Sequence, residues 1–510
     1  MGLAEWVKAL FRPSNSLDQM DLGAPDGENP LMFQFFQWDT KGTDQESWWQ
    51  IFAKEVPRLA ELGVSQVWLP PPNKAMVMEG RGYDAYDLWD LGEFDQKEGI
   101  ATRWGTKAEL VAAIAVAKQH NVRVLIDAVL NHKIGADTTE TITAVPVDPK
   151  DRNLQIGEER EISAWTKFTF PGRKGQYSTF TWNHEHFTGI DWDAKAKELG
   201  VFKITQDRQR GWSAHVSREL GNYDYLLGAD IDHLHPGVRK DLKNWGPWVL
   251  QATGGAGFRI DAVKHYDHRF LSEWVSHLRK TPGRQNMFSV AEFWSGDGKE
   301  LDRFSRKLGP PISVFDSALH EIFYRASLDT DYDLRRVFRG SLVDLRPRDA
   351  VTFVENHDTV LGQSLESPVS LEFKPIAYAL ILLRPHGYPC VYHADIYGPT
   401  VVLDLPRLMT ARKKFAHGPC EDVITSSENP HVISFIRRGT AKKPGCVVVL
   451  TNAMKSKSTA PQTIRLQLGK RLANTIWYDY LQRGPIVEIT PTGYGTFVAA
   501  HSVCVYIQKT

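Results

Sequence analysis

Residues 257–265 (GFRIDAVKH) set an arginine and an aspartate two positions apart in a short apolar run that ends in a polar, cationic lip. Alternate residues of a strand share a face, so Arg259 and Asp261 point the same way. Such a pair is either a buried ion pair or part of an active site, because structural ion-pair networks carry the same pattern. Acidic and imidazole side chains recur at the ends of other apolar runs: Asp127 followed by Asn131 and His132, Glu292 before Phe293 and Trp294, and the run Glu355, Asn356, His357, Asp358. One such strand end is weak evidence, since Asp and His are common there. Four at one level would surround a single centre with two or three carboxylates. Carboxylates that converge among aromatic rings suit cleavage of a glycosidic bond. One carboxylate attacks or stabilises an oxocarbenium-like centre, and a second, kept protonated, gives the leaving oxygen its proton. Mutual repulsion and desolvation drive the two pKa values apart.

Bringing those strand ends together requires a scaffold of alternating strands and helices. Apolar runs at 31–38, 64–69, 122–130, 257–263, 288–293, 312–315, 351–355 and 389–393 read as strands. Helical patterns at 47–62 (capped by Ser47), 107–120, 238–251, 268–279, 371–383 and 403–414 separate most of them. Eight strands, each mostly followed by a helix, predict an α/β fold of the (β/α)8 TIM-barrel type, with the site at the C-terminal ends of the strands. Residues 131–235 are too long for a βα loop and predict a folded subdomain inserted after the third strand. The strand-like runs at 432–437, 446–451, 463–468, 495–499 and 502–508 predict a C-terminal antiparallel β-sandwich domain. The expected divisions are an N-terminal extension (1–28), barrel (29–130), insert (131–235), barrel (236–415) and C-terminal β domain (416–510). Leu3, Trp6, Val7 and Leu10 fall at helical spacing before Pro13, so the extension is expected to begin with a short amphipathic segment docked on the body, the alternative being contact with a membrane surface or a partner.

The bulk composition is that of a globular chain of 510 residues, 42% hydrophobic and 24% charged. Lys+Arg and Asp+Glu balance at 61 each, so no global field favours nucleic acid or an anionic membrane. No apolar run approaches a transmembrane span. Glu5 and Lys8 interrupt the N-terminal apolar stretch, which therefore does not read as a secretory signal. Cys390, Cys420, Cys446 and Cys504 fit neither a zinc site nor a dense disulfide framework and are expected as free thiols in a cytoplasmic protein. The oligomeric state is open, with a monomer expected.

Four stretches, 127–132, 257–265, 290–294 and 353–358, resemble in order and spacing the four conserved regions of the α-amylase family, glycoside hydrolase family 13. Supporting stretches are 82–94 (GYDAYDLWDLGEF), 221–236 (GNYDYLLGADIDHLHP) and 362–375 (GQSLESPVSLEFKP). The likeness runs from about residue 31 to the C-terminus and is strongest to bacterial liquefying enzymes and their intracellular fungal relatives. It implies that Asp261 is the nucleophile of a covalent glycosyl-enzyme, Glu292 the general acid/base, and Asp358 the carboxylate that holds sugar hydroxyls and stabilises the transition state. Arg259 would keep Asp261 ionised. His132 and His357 would bond the sugar in the cleavage subsite, Tyr83 would stack on it, and Lys264 and His265 would lie on the leaving-group side. Retention of configuration is implied, with the reacting carboxyl groups about 5–5.5 Å apart.

The resemblance also implies one calcium ion between barrel and insert, held by Asn131, Asp224, Asp230 and the main-chain oxygen of His265. Calcium takes carboxylate and carbonyl oxygens of this kind. The plain alternative is that Asp224 and Asp230 only cap turns. A further metal cluster of bacterial relatives is expected to be absent, because Thr188, Gly211 and Leu234 stand where its aspartates would be. Glu355 replaces an aspartate of those relatives, lies off the catalytic set and is expected to be without consequence. The expected partner is an α-glucan or maltooligosaccharide. A 4-α-glucanotransferase would use the same carboxylates, and a catalytically silent glucan-binding protein would have lost one of them.

Overall fold

The computed structural model describes residues 20–22, 29–206, 211–308, 311–424, 428–453 and 462–509. The expected amphipathic segment around Trp6 lies outside them. Eight parallel strands close into a barrel: β1 (Met32–Gln34), β2 (Gln66–Trp68), β3 (Arg123–Ala128), β4 (Gly257–Ile260), β5 (Ser289–Ala291), β6 (Ser313–Phe315), β7 (Ala350–Phe353) and β8 (Tyr388–Tyr392). β8 pairs with β1 to close the ring. The strands are shorter than the apolar runs that announced them. Those runs continue into loops whose side chains are still buried, so apolarity outlasts the hydrogen-bonded ladder.

The barrel is filled. Met32, Trp68, Leu125, Phe288, Val290, Phe315, Val351, Phe353 and Tyr388 form one buried cluster inside it, a packed core and not a pore. Met20 and Leu22, from the N-terminal extension, join that cluster, and the Asp21 N–H bonds Asn286 O at 2.9 Å. The extension therefore helps close the barrel interior.

Helix boundaries follow local chemistry. Trp48–Glu61 starts with a capping box between Ser47 and Gln50, and Lys107–Gln119 with one between Thr106 and Glu109. Pro236–Thr253 ends at Gly254, whose left-handed backbone (φ 83°) stops it. Lys374–Leu383 starts later than the expected residue 371, because Pro375 fits the first turn and residues 371–373 form a turn before it. Helices Gly298–Lys307 and Ser317–Leu328 follow β5 and β6, completing the alternation.

Opposite the strand C-termini, cations close helix ends. Lys413 Nζ reaches Ala60 O and Glu61 O, both at 3.0 Å. Arg412 donates to Leu382 O at 2.5 Å, and Arg437 to Leu383 O at 2.8 Å. The last carbonyls of a helix lack the donors of a further turn, and a cation there also suits the helix dipole.

Between β3 and β4 the chain forms a seven-stranded sheet, built on the long antiparallel strands Thr138–Asp148 and Arg160–Lys167. It is stitched to the barrel mouth by the bridge His132–Lys133 with Ala229–Ile231, in which Asp230 faces His132. After Leu405–Phe415, a six-stranded antiparallel sheet and a two-stranded one close on a core that includes Val447, Trp477, Phe497 and Tyr506. The short strands Cys420–Asp422, Ile476–Asp479 and Val487–Glu488 had no clear apolar pattern in the sequence. None of the four cysteines is bridged; Cys390, Cys446 and Cys504 are buried and Cys420 is half-buried. Among the described residues no helix is long and apolar enough to cross a membrane.

Asp316, at the end of β6, is a strand-end carboxylate that serves the scaffold. It accepts from Leu319 N (3.0 Å), Leu342 N (3.0 Å) and Val343 N (2.7 Å), so it caps two helices while fully buried. Asp316→Ala strands those donors and is expected to cost about 2–4 kcal/mol, read as a lower denaturation midpoint.

Candidate active site

Arg259, on β4, is completely buried at the floor of the barrel mouth. One of its terminal nitrogens donates to Asp127 (2.8 and 3.1 Å) and to Asp261 (2.7 Å); the other donates to Glu292 at 2.6 Å. One guanidinium thus joins the ends of β3, β4 and β5. Register explains the meeting: Arg259 lies beside Asp127 on β3 and beside Val290 on β5, two residues before Glu292. Asp127 is held from its other side by Trp68 Nε1 and Tyr83 Oη, each at 2.8 Å. The Arg259 guanidinium also lies 4.6 Å from the Trp68 ring centroid, a cation–π contact.

The backbone then turns sharply. Ala262 adopts a left-handed conformation (φ 49°), uncommon for a residue with a Cβ, and its N–H donates to Glu292 Oε2 at 3.2 Å. Asp261 N bonds Ala128 O and Glu292 N bonds Ile260 O, so the backbones bearing both carboxylates are tied across the ring. The strained turn leads into the short helix Val263–His265, which carries Lys264 and His265 to the lip. Lys264 donates to Trp294 O (2.9 Å) and pairs with Glu219 of the insert. The His265 ring bonds Tyr223 O (2.8 Å).

The end of β7 supplies His357 and Asp358. His357 stacks on Tyr83 (centroids 5.2 Å apart, planes at 16°) and on Trp38, and its Nδ1 bonds Gln34 Nε2 at 3.1 Å. Its Nε2 lies 3.4 Å from the Asp358 carboxylate. His132 bonds Tyr83 O through Nε2 (2.8 Å), while its buried Nδ1 has no protein partner. Asp261 and Glu292 each keep 11% of their side chain exposed and Asp358 keeps 19%, so all three still reach solvent from an enclosed floor.

Electrostatics follow from burial. Desolvation raises Asp261 to about 6 even though Arg259 pulls it down. It raises Glu292 as well, against the same guanidinium. Asp358, buried beside Glu292, is pushed up to about 8. Four carboxyl groups, counting Asp127, crowd around one cation that pairs with three of them, so the cluster retains protons near neutrality. His132 falls to about 4 and His265 to about 3 through burial, which leaves both imidazoles neutral.

Every residue expected at the catalytic floor is in this mouth. Sequence reasoning passed over Asp127 as a ligand of the arginine, and also Trp68, Gln34 and Glu219. Trp68 and Asp127 sat at strand ends and were open to the same argument. Gln34 and Glu219 carried no local signal.

Three of the expected calcium ligands, Asn131, Asp224 and Asp230, also meet. Asp224 and Asp230 are buried side by side. Burial raises Asp224 to about 7, and burial together with Asp224 raises Asp230 well above the usual carboxylate range. Asn131 Nδ2 donates to Asp230 at 3.3 Å, leaving its buried Oδ1 without a partner. Thr188 donates its hydroxyl to Asp230, and Ser213 N donates to Asp224 at 2.8 Å. Two crowded carboxylates and an orphaned amide oxygen are oxygen donors that suit a divalent cation. Among the described residues, no three His, Cys, Asp or Glu side chains converge as a ready metal cage.

A closed parallel barrel with clustered carboxylates at its C-terminal mouth is the architecture of a (β/α)8 glycoside hydrolase. The model of the α-amylase catalytic domain matches residues 43–408, and the chain belongs to that family. It is 40% identical to an α-amylase of Bacillus licheniformis, covering 94% of each chain. It is also 40% identical to the cytoplasmic α-amylase of Escherichia coli, over 92% of this chain and 96% of that one. The solved α-amylase of Geobacillus thermoleovorans, complexed with acarbose, superposes with a TM-score of 0.62 at 16% identity over 94% of this chain and 98% of that one, a likeness of fold.

Removing the guanidinium tests this electrostatic account. Arg259→Met leaves three buried carboxylates unpaired and is expected to cost about 3–5 kcal/mol at neutral pH. Carboxyl groups whose folded pKa is raised favour folding while protonated and lose that contribution as pH rises through the folded value. The variant's deficit in melting temperature should therefore be larger at pH 8 than at pH 5.

Proposed function

We propose that the protein is a retaining endo-α-1,4-glucan hydrolase acting on starch, glycogen or maltooligosaccharides. The observation that carries this reading is the sharing of Arg259 between Asp261 and Glu292, with Asp358 across the same mouth. Asp261, ionised above about pH 6 and aligned by the guanidinium, is the nucleophile. Glu292, raised by burial, is the acid that protonates the departing glycosidic oxygen. It then serves as the base that takes a proton from the water releasing the sugar. Asp358 is the carboxylate that grips sugar hydroxyls. Neutral His132 and His357 bond the same sugar, Tyr83 offers its ring, and Lys264 with His265 borders the leaving-group side.

Calcium belongs to the proposal. Asn131, Asp224, Asp230 and the His265 carbonyl would hold it, and its charge would relieve the repulsion between the two buried aspartates and tie insert to barrel. We place the protein in the cell interior, a reading supported by the cytoplasmic Escherichia coli relative and by the unbridged cysteines.

Glu292→Gln is expected to lower kcat by about 10³-fold or more, within the range for losing a general acid/base. The acid limb of kcat/KM should fall near pH 6, because protonating Asp261 removes the nucleophile. Chromatography of products from maltopentaose should give only shorter sugars; longer ones would make transfer the main reaction. Chelation should lower the melting temperature and calcium restore it. Asp230→Asn should abolish that response.

A further inference from the structure

Glu355 follows β7 and precedes the residues of the mouth, yet points away from them into a second buried ion cluster. Its Oε1 accepts from Val369 N at 2.6 Å and its Oε2 from Lys374 Nζ at 2.8 Å. The same ammonium reaches Asp395 Oδ1 at 2.5 Å; Thr400 (2.8 Å) and Tyr378 complete that carboxylate. Glu355, Lys374 and Asp395 are no more than 2% exposed. The cluster therefore joins the end of β7, the start of Lys374–Leu383 and the short helix Ala394–Tyr397 that follows β8.

The segment between these anchors is a loop that carries Asp358. Its near end is an Asx turn: Asn356 Oδ1 accepts from Asp358 N (2.9 Å) and Thr359 N (3.1 Å). Its middle folds back, with Leu365 N on Asp358 O and Ser367 N on Thr359 O. His320 braces it by bonding Val354 O (2.7 Å) and Ser367 Oγ (2.8 Å). The far end closes on the Glu355 side chain. Among the described residues no guanidinium or ammonium pairs with Asp358; its neighbour is the neutral ring of His357, 3.4 Å away. Its direction is set by the loop, and the loop is shut by Glu355.

We propose that Glu355 is a positioning residue for Asp358: its two carboxylate oxygens pin the far end of the 356–369 loop and lock it to the ion cluster behind the mouth. The site asks for two acceptors at once, since Val369 N–H and the Lys374 ammonium are both donors. A carboxylate meets both needs, whereas an amide offers one oxygen and leaves a buried donor unpaired.

The inference rests on the role given to Asp358, and the test separates the two. Kinetic constants are measured on an activated aryl maltotrioside for Glu355→Gln, Glu355→Asp, Asp358→Asn and Glu355→Gln with Asp358→Asn. A displacement of about 1 Å can cost on the order of 10² in rate, so Glu355→Gln should lower kcat by roughly 30- to 100-fold, with KM changed less than about threefold. Glu355→Asp should recover most of that loss. In the Asp358→Asn background, Glu355→Gln should cost little more, because the group it positions is gone. A Glu355→Gln enzyme within about threefold of the parent kcat, or losses that multiply in the double variant, overturns the proposal. An Asp358→Asn enzyme of unchanged kcat instead overturns the role of Asp358 and takes this inference with it. If circular dichroism shows Glu355→Gln unfolded, Val369→Pro decides in its place. It deletes the loop-closing donor and leaves the ion cluster intact, and the same fall in kcat is expected.

Discussion

A single guanidinium, sealed from solvent, holds the reacting end of this molecule together. Burying an arginine is costly unless its donors are met by matched acceptors, and here three carboxylates on three strands supply them. The arrangement works in both directions. The cation keeps neighbouring carboxylates from being wholly neutralised by burial, and the carboxylates keep the cation in place. Trp68 and Tyr83 add a wall that bonds Asp127 and shields the positive charge. Proton affinities in the mouth are thus set by a fixed frame, as general acid/base chemistry on a sugar requires.

The two poles of the barrel use charge differently. At the mouth, acidic groups crowd together at raised pKa values, a state that disfavours folding near neutrality and is retained for chemistry. At the opposite pole, Arg412, Lys413 and Arg437 are spent on helix carbonyls, and on the mouth's own margin Asp316 is spent on helix amides. The same residue types are therefore scaffold in one place and machinery in another. Asp316 is saturated by backbone donors, whereas His132 Nδ1 and Asn131 Oδ1 are left waiting.

The insert shares in the site. Its bridge strand sets Asp230 against His132, its Glu219 pairs with Lys264, and its Tyr223 packs edge-on to the His265 ring at 4.2 Å. Barrel and insert meet along the line where the acidic pair Asp224 and Asp230 is buried. A cation there would act on both the stability of the seam and the walls of the cleft.

The sequence alone announced the barrel, the place of the insert, the β-rich C-terminal part and the strand ends whose carboxylates meet at the mouth. The reason is periodicity: a buried parallel strand must be apolar, and its polar terminus stands out against that background. Helix starts were legible where a cap was explicit, as at Ser47. The short strands near Cys420, Ile476 and Val487 were not, because a few residues of mixed polarity carry no period. Only the tertiary structure decided that Arg259 serves three carboxylates and not one, since a shared partner depends on register between strands far apart in the chain. It likewise placed Glu355 in a buried ion cluster with Lys374 and Asp395 behind the mouth. Nothing next to Glu355 in the chain foretells Lys374 or Asp395, and a buried charge takes its meaning from the partners that folding brings to it.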